Sequence, residues 1–238
     1  MIRVGIIGLG MMGRCHLEGW EKVEGAEVVA IADSDPKRAA GDLSGGWGNI
    51  DAGTENIDMD RVTGTTDPHE LIAMENVDVV DVCVPTPFHA DLAVAALEAG
   101  KHVVCEKPLA RTAEDAHRIA AAAAASPGMF MPGMCIRFWP QYVWLKDAVE
   151  SNAYGRVLSA TFRRVASMPP GWFSNAEMSG GAALDLHLHD TDFVQYLLGM
   201  PRAVASCGYS KTTEGIDHIV TRYFFDEVPI VVAEGGWC

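Results

Sequence analysis

The sequence predicts an α/β fold in which a doubly wound parallel sheet is followed by a second, α+β domain. Apolar runs of strand length alternate with helix-like segments as far as about residue 135, a pattern typical of a parallel sheet covered by helices on both faces. After Arg137 the strand-like runs alternate between apolar and polar residues, which is typical of an antiparallel sheet with one exposed face. We therefore expect one domain at 1–136 and a second, mostly antiparallel one at 137–238.

Each predicted element is a periodic segment bounded by glycine, proline or short polar residues. In the first domain, strands are expected at 2–7, 27–32, near 62, 77–84, 103–105 and 129–136, and helices at 12–23, after 35, 68–74, 89–99 and 112–125. In the second domain, helices are expected at 140–151 and 182–198, and strands at 156–166, 216–225 and 229–234. The segment 44–58, which is rich in Gly, Asn and Asp and contains Trp47, is predicted to be a loop, with a mobile lid as the alternative.

Three glycines follow the first predicted strand directly, in the sequence GLGMMG. Gly8 would permit a tight turn, Gly10 would let the backbone approach a pyrophosphate, and Gly13 would let the helix pack closely on the strand. The helix that starts at Met11 and Met12 would direct free N–H groups and a positive dipole end toward the phosphates. This strand, turn and helix together predict a dinucleotide-binding Rossmann domain.

An acid stands where a dinucleotide-binding domain needs one. Asp33 ends the second apolar run, 20 residues beyond Gly13, and is expected with its neighbour Ser34 to bind the adenosine ribose. Its carboxylate would repel a 2′-phosphate, so the sequence favours NAD over NADP. Lys37 and Arg38 leave NADP open, because a cation turned toward the ribose would tolerate the extra phosphate.

The segment GKHVVCEKPLA places a lysine immediately after an apolar strand. Lys107 would emerge at the carboxyl end of that strand, where open α/β sheets bind their ligands. Pro108 lacks a backbone donor and restricts the residue before it, so Lys107 is expected in a fixed, extended position. An ordinary solvated lysine in a strand-to-helix turn is the alternative.

A second cluster of polar side chains lies in ALDLHLHDTDFVQYL, within the helix predicted at 182–198. On a continuous helix, Asp185, His189, Asp192 and Tyr196 would share one face, and His187 would point nearly opposite. One metal ion would not easily bind both histidines in that arrangement, although on a strand they would converge. We therefore predict no metal site, with a metal-dependent hydrolase as a weaker alternative.

Composition narrows the class of protein. The formal charge of −14 argues against partners such as nucleic acid or an anionic membrane surface, because it repels phosphate at long range. The six cysteines lack C-x-x-C spacing and several fall in predicted strands, so they are expected to be reduced in a cytoplasmic protein. No apolar run approaches the length of a membrane span.

The combination of these motifs resembles the Gfo/Idh/MocA family of NAD(P)-dependent oxidoreductases. The glycine turn at 8–13, the EKP tripeptide at 106–108 and the segment 180–192 match the family pattern, which covers essentially the whole chain. The resemblance implies hydride transfer between a nicotinamide cofactor and a CH–OH or C=O carbon of a sugar, inositol or related polyol. It also implies homo-oligomers, dimeric or tetrameric, that form through the second-domain sheet.

Residue roles also follow from the resemblance. It assigns Lys107, Asp185 and His189 as catalytic residues: His189 as acid/base, Asp185 to orient it or bind an adjacent hydroxyl, and Lys107 to polarise the carbonyl oxygen. The expected cofactor-binding residues are Gly8, Gly10, Met11, Met12, Gly13, Asp33, Ser34, Pro85, Thr86, His89, Glu106 and Lys107. The expected substrate-binding residues are Lys107, Arg137, Trp172, Asp185 and His189, with Phe173 and Trp139 as further aromatic candidates.

Two features depart from the family pattern. A family glycine between the acid and the histidine is His187 here, a bulky residue where the helix would run close to another element. Family members are also usually longer, so a truncated chain with an uncovered sheet face is expected. A catalytically inactive NAD(P)-binding sensor is therefore the main alternative to an active dehydrogenase.

Overall fold

The structure is a computed structural model that describes residues 1–45 and 54–237. The chain divides into two compact units, Met1–Gly133 and Met134–Cys238, whereas the sequence placed the boundary between 136 and 137. Part of the segment predicted as a loop or lid, including Trp47, lies outside the described residues, as does Cys238.

The first unit is built on a parallel sheet. In chain order its strands are β1 (Ile2–Ile7), β2 (Ala26–Ala32), β3 (Thr63–Thr65), β4 (Val79–Val82), β5 (His102–Cys105) and β6 (Phe130–Pro132). They lie in the spatial order β3-β2-β1-β4-β5-β6, and every pairing is parallel. The chain starts at the centre and winds to one edge before the other, so the predicted doubly wound sheet is confirmed.

Helices connect these strands: α1 (Met11–Trp20), α2 (Pro36–Ala39), α3 (Pro68–Ala73), α4 (His89–Glu98) and α5 (Ala113–Ala125). Asp35 and Asp67 begin α2 and α3 by accepting a backbone N–H two residues ahead, and a proline follows each at the first helical position. Across the described ranges, the helices lack the length and apolar character that a bilayer crossing requires.

The core of the first unit lies on both faces of the sheet. Val4 and Ile6 of β1 pack with Leu17 of α1 on one face, and all three side chains are buried. On the other face, Val82 of β4 packs in the same cluster as Leu97 of α4. Because both faces are covered by helices, the carboxyl edge of the sheet is where polar side chains can reach a ligand.

The second unit pairs a four-stranded sheet with helices. The helices are α6 (Pro140–Glu150), α7 (Ala176–Ser179), α8 (Gly181–Asp185) and α9 (Leu188–Leu198), and the strands are β7 (Ser159–Ala166), β8 (Ala203–Tyr209), β9 (His218–Phe224) and β10 (Ile230–Trp237). The spatial order is β7-β10-β9-β8, with β7 and β10 parallel and the other two pairings antiparallel. The predicted mostly antiparallel sheet is confirmed.

Two features of this unit differ from the sequence prediction. The sequence did not predict β8, an edge strand whose seven residues are all exposed, because no buried face imposes apolar alternation on it. The single helix predicted at 182–198 is wrong. The chain turns at Leu186 and His187, between α8 and α9, and His187 packs against the sheet there.

Candidate active site

The turn between β1 and α1 has the geometry that its glycines predict. Gly8 has a φ of +92°, and a Cβ at this position would lie 2.9 Å from the carbonyl carbon of Cys83. A Cβ on Gly13 would lie 1.8 Å from the oxygen of Gly8, so α1 approaches the strand this closely only because Gly13 lacks a side chain. A Cβ on Gly10 would meet no described atom within 4 Å, so a ligand can approach the backbone there.

The start of α1 is suited to an anion. Gly10 is the N-cap, and the first turn, which includes Met11 and Met12, contains no acidic residue. Its N–H groups and the helix dipole favour negative charge at this end of the helix. A cavity of about 140 Å³ lies beside this turn and is lined by Leu9, Gly10, Met11, Arg14, Asp35, Lys37, Arg38, Asp42, Leu43, Ser44 and Gly45. Three of these residues are cationic (Arg14, Lys37 and Arg38) and two are acidic (Asp35 and Asp42).

Asp33 lies at the end of β2, buried beside the glycine turn. One carboxylate oxygen accepts the N–H of Leu9 at 2.7 Å, and the other accepts the N–H of Asp35 at 2.8 Å and Nη2 of Arg38 at 2.9 Å. A carboxylate has about four acceptor positions, so these three contacts leave room for a ribose hydroxyl. Ser34, next in the chain, is exposed.

A dinucleotide therefore fits this turn by three criteria of the structure itself. The space in front of Gly10 is open, the first turn of α1 carries no acid, and Asp33 keeps acceptor capacity. The residues that would hold the phosphates are Gly10, Met11 and Met12, and the residue that would hold the ribose is Asp33.

The loop after β4 carries three of the predicted cofactor-binding residues. Pro85 precedes the 3₁₀ turn Thr86–Phe88, and Thr86 and His89 are almost fully buried. The His89 ring contacts the carbonyl oxygens of Val84 at 2.8 Å and Pro108 at 2.9 Å, and burial lowers its pKa. His89 therefore ties this loop to the segment after β5. Its ring is committed to these two backbone contacts, and the expectation that His89 binds the cofactor stays a prediction.

Glu106 and Lys107 follow β5 directly, as predicted. The strand register pairs Ile7 with Val82 and Val82 with Cys105, so the glycine turn and the EKP segment start at the same level of one sheet edge, with β4 between them. Glu106 is buried, and its Oε2 accepts the backbone N–H of Lys107 at 3.0 Å. The Lys107–Pro108 peptide bond is cis. The Glu106 carboxylate thus holds the backbone of Lys107 from the preceding residue.

In the second unit, Arg137 lies in the 3₁₀ turn Cys135–Phe138 and pairs with Asp192 of α9. Its Nε donates to Asp192 at 2.8 Å, and the guanidinium lies 4.6 Å from the ring centre of Tyr196. Lys146 of α6 lies over the same ring at 4.5 Å. Asp192 and Tyr196 therefore share a face of α9, as predicted, and Arg137 is held on that face.

His187 points into the second-unit sheet. Its Nε2 contacts the hydroxyl of Thr221 on β9 at 2.9 Å, and burial lowers its pKa. A Cβ on Gly235 of β10 would lie 2.9 Å from the His187 Cβ, so the imidazole fills space that only glycine leaves free. Within the described ranges, His187 and His189 belong to no cluster of three or more side chains with metal-ligand spacing.

Asp185 and His189 lie on opposite sides of the helix break. Asp185 is buried at the end of α8, and His189 is half-buried in the first turn of α9. The sequence predicted that these two residues share one face of a continuous helix. That prediction is wrong, because the helix is interrupted between α8 and α9. Their catalytic assignment rests on the family motif alone.

The aromatic candidates differ in their surroundings. Trp172 stacks on Phe173 with 4.1 Å between ring centres, and Phe173 is buried, which favours a packing role for this pair. Trp139 is 44% exposed. The sequence did not single out Asp190, which is buried and accepts from the guanidinium of Arg164 at 3.1 Å. No spacing rule distinguishes this structural aspartate from its neighbours Asp185 and Asp192.

Two family models cover almost all of the chain. Residues 2–134 match the GFO/IDH/MocA model described as an oxidoreductase family with an NAD-binding Rossmann fold, and residues 142–235 match the GFO/IDH/MocA C-terminal domain. This chain belongs to the Gfo/Idh/MocA oxidoreductase family. Membership confirms the resemblance inferred from the glycine turn and the EKP segment, and it confirms NAD as the class of cofactor.

The names of the relatives describe enzymes that act on polyhydroxylated rings. A myo-inositol 2-dehydrogenase of Thermotoga maritima is 34% identical over 200 residues, which is 83% of this chain and 55% of that protein. A 1,5-anhydro-D-fructose reductase of Ensifer adhaerens is 31% identical over 226 residues, 91% of this chain and 63% of that protein. This chain thus spans between 55% and 63% of the length of these two Gfo/Idh/MocA relatives.

Solved structures of the same family have the same fold. Levoglucosan dehydrogenase in complex with NADH and levoglucosan is similar with a TM-score of 0.81 at 28% identity, covering 98% of this chain and 66% of that one. A probable dehydrogenase from Thermotoga maritima has a TM-score of 0.83 at 28% identity, covering 99% and 69%.

Proposed function

We propose that this chain is the nucleotide-binding and catalytic part of an oxidoreductase acting on a sugar, an inositol or a related polyol. The reaction is hydride transfer between NAD and a CH–OH or C=O carbon. The observation that carries the proposal is the position of Lys107 at the sheet edge that also bears the glycine turn. The names of the relatives, which are inositol, levoglucosan and anhydrofructose enzymes, support the substrate class.

Lys107 supplies a fixed positive charge in this proposal. NAD, when bound, supplies the hydride acceptor. The ammonium group of Lys107 polarises the substrate oxygen and stabilises the negative charge that develops on it. Glu106 assists by holding the backbone of Lys107, which restricts where that ammonium group can reach.

His189 is the proposed acid/base for the substrate hydroxyl. Imidazole is suited to this role because its ordinary pKa lies near neutral pH. Asp185 orients His189 or binds an adjacent hydroxyl, and Arg137 and Trp172 are proposed to bind substrate. Support for these assignments comes from the match of Asp185 and His189 to the family motif, and from the exposed part of Arg137 beside Asp192.

The proposed cofactor preference is NAD over NADP. Asp33 carries the preference because its carboxylate would accept from the ribose and repel a 2′-phosphate. Arg38 moderates it, since the guanidinium already lies against that carboxylate.

Reduction of NAD and NADP against a panel of polyols and cyclic sugars, with and without a chelator, tests the proposal. We expect NAD reduction that a chelator does not change and that Lys107→Ala lowers by roughly two powers of ten or more. NADH binding without turnover on any substrate would favour an inactive sensor. Hydrolysis that the chelator stops would favour the metal-dependent alternative.

We further propose that the protein assembles into a dimer or tetramer through the second-unit sheet and is located in the cytoplasm. The exposed edge strand β8, with Val204 56% and Tyr209 54% exposed, supports assembly because unpaired strand edges invite pairing. The free thiols of Cys15, Cys83 and Cys105 support a reducing compartment. Light scattering at several concentrations tests the oligomeric state, and a protein that stays monomeric would contradict it.

A further inference from the structure

A buried polar cluster lies behind the glycine turn and includes Glu106. His16 of α1 reaches across the carboxyl edge of the sheet and contacts two carboxylates from different strands. Its Nδ1 lies 2.9 Å and 3.1 Å from the two oxygens of Asp81 on β4, and its Nε2 lies 3.1 Å from Oε1 of Glu106, just after β5. The Asp81 side chain is fully buried, and the His16 side chain is 21% exposed.

The contacts of the ring determine its protonation. A neutral imidazole has one N–H and one lone pair, so one ring nitrogen would point a lone pair at a carboxylate. An imidazolium donates from both nitrogens and places its charge between two anions. Burial opposes the charged form, but Asp81 and Glu106 outweigh it and raise the pKa of His16 to about 10.

The other polar groups around the ring are consistent with this charge distribution. Trp20 donates its indole N–H to Asp81 at 2.6 Å. The Cys83 sulfur lies 3.4 Å from Nδ1 of His16 and 3.5 Å from Asp81, and burial together with the charge of Asp81 raises the thiol pKa. Asp81 and Cys83 from the β4 segment and Glu106 from the β5 segment are thus the titratable groups that face the ring among the described residues.

The cluster continues directly to Lys107. One oxygen of Glu106 accepts from His16, and the other accepts the backbone N–H of Lys107 at 3.0 Å. Without the His16 contact, Glu106 could rotate about its terminal torsion, which is broad in carboxylates. A change at His16 would therefore reach the Lys107 backbone through one intervening side chain.

We propose that His16 is a positioning residue: as an imidazolium bridging Asp81 and Glu106, it fixes the Glu106 carboxylate and thereby the placement of Lys107. The consequence for turnover rests on the proposed function, in which Lys107 is catalytic. The ionisation of His16 and its effect on the Lys107 backbone do not depend on that proposed function.

A bound metal is the competing explanation of the same cluster. Ligand atoms of His16, Asp81 and Cys83 all lie within 4.8 Å of one another. A cation coordinated there would have to displace the proton on Nδ1, and Asp81 would keep its bond from Trp20. The protonated ring already satisfies both carboxylates, so we favour the imidazolium.

Nitrogen NMR of protein labelled at histidine tests the ionisation directly. We expect both ring nitrogens of His16 to remain protonated between pH 6 and about 9, with His16→Gln used to assign the signals. Glu106→Gln should lower the pH at which the ring loses a proton, because it removes one anion. A neutral His16 ring at pH 7, or a stoichiometric metal that His16→Gln releases, would overturn the proposal.

The positioning role is tested by comparing His16→Gln with His117→Gln, an exposed control on α5. We expect His16→Gln to shift the backbone amide resonance of Lys107 and to lower kcat about tenfold or more, because a small misplacement of a catalytic group lowers the rate. The KM for NAD should change by no more than about twofold, because no phosphate contact is removed. An unmoved Lys107 amide in folded His16→Gln contradicts the proposal.

The two kinds of failure are distinguishable. If the wild-type protein turns over no substrate, the proposed function fails, but the ring ionisation and the Lys107 amide still decide the role of His16. If His16→Gln does not fold, Asp81→Asn supplies both readouts, since it keeps the size of the side chain, removes an anion that His16 contacts and leaves Glu106 with its bond to the Lys107 backbone in place.

Discussion

The guanidinium of Arg38 donates to the carboxylate of Asp33, with 2.9 Å between Nη2 and Oδ1. Asp33 also accepts two backbone N–H groups, from Leu9 and Asp35, so it joins the glycine turn to the end of β2. An unpaired carboxylate would repel a 2′-phosphate at full strength, whereas a cation in contact with it offsets part of that repulsion. The proposed preference for NAD would therefore be set by this pair of residues.

Replacing Asp33 and replacing Arg38 should change the cofactor preference in opposite directions. Asp33→Ala should narrow the ratio of NADH to NADPH affinity by about tenfold, since one carboxylate-to-ribose bond is worth roughly 1.4 kcal/mol. Arg38→Ala should widen the ratio, because the carboxylate then repels phosphate uncompensated. Calorimetric titration with NADH and with NADPH measures the affinity ratio in each variant. Arg118→Ala, in α5, is the control. Tighter NADPH than NADH binding by the unaltered protein would refute the assignment of Asp33.

Lys107→Ala should separate chemistry from cofactor binding. We expect turnover to fall by roughly two powers of ten or more, because the variant removes charge stabilisation from the transition state. NADH affinity should stay nearly unchanged, since the phosphates are proposed to bind at the start of α1. Steady-state kinetics measures the turnover, and calorimetry measures the NADH affinity. Lys22→Ala, at an exposed lysine, is the matched control. Near-normal turnover in a folded variant would mean that Lys107 is an ordinary residue of a strand-to-helix turn and has no catalytic role.

The two histidines of the second unit should differ in their effect on the pH–rate profile. His189→Ala should remove the ionisation that controls it, if His189 is the acid/base. His187→Ala should keep that ionisation and reduce stability, because the imidazole is committed to Thr221. A chelator should change neither the parent nor the variants. A metal that both substitutions release would mean that the two rings converge on one ion.

The sequence was sufficient for those parts of the fold that depend on local backbone requirements. Gly8 needs a positive φ and Gly13 a close contact, and both requirements come from the strand–turn–helix order itself. Helical periodicity failed at Leu186 and His187, because the turn there accompanies a contact with β9 and β10, far away in sequence. Periodicity describes one helix at a time and carries no information about such partners.

The same limitation explains why the His16 cluster was missed. Asp81 lies 65 residues from His16 and Glu106 lies 90 residues from it, and each looks unremarkable in its own segment. Only the strand order β1-β4-β5 brings the three side chains together. One signal was available: Asp81 is a charged residue within an otherwise apolar strand, and such a residue requires a buried partner.

Gly235→Ala should destabilise the second unit. The added Cβ would lie 2.9 Å from both Cβ and Nδ1 of His187, closer than packed atoms allow. Overpacking of this kind costs about 1–3 kcal/mol, and urea unfolding would measure it. Gly19→Ala in α1 is the control, because its Cβ would meet no described atom within 4 Å, and alanine favours a helix. In a His187→Gly background, which lacks both of these atoms, Gly235→Ala should lose most of its cost, and persistence of the full cost would contradict the contact.

The stability that His16 contributes should depend on pH in a defined window. Because the folded-state pKa of His16 is raised to about 10 and an unfolded histidine titrates near about 6.5, the folded protein holds the extra proton between these values. The contribution is therefore complete below about pH 6.5 and is lost as pH rises through the folded pKa, by at most about 1.4 kcal/mol per pH unit for one proton. Urea unfolding of wild type and His16→Gln from pH 6 to 9 measures it, since the difference between the two proteins cancels the titration of the groups that do not contact His16. The advantage of the wild type should shrink steadily with pH, while the difference between wild type and His117→Gln stays constant across that range. An advantage over His16→Gln that is independent of pH would mean that the folded protein does not hold His16 as an imidazolium.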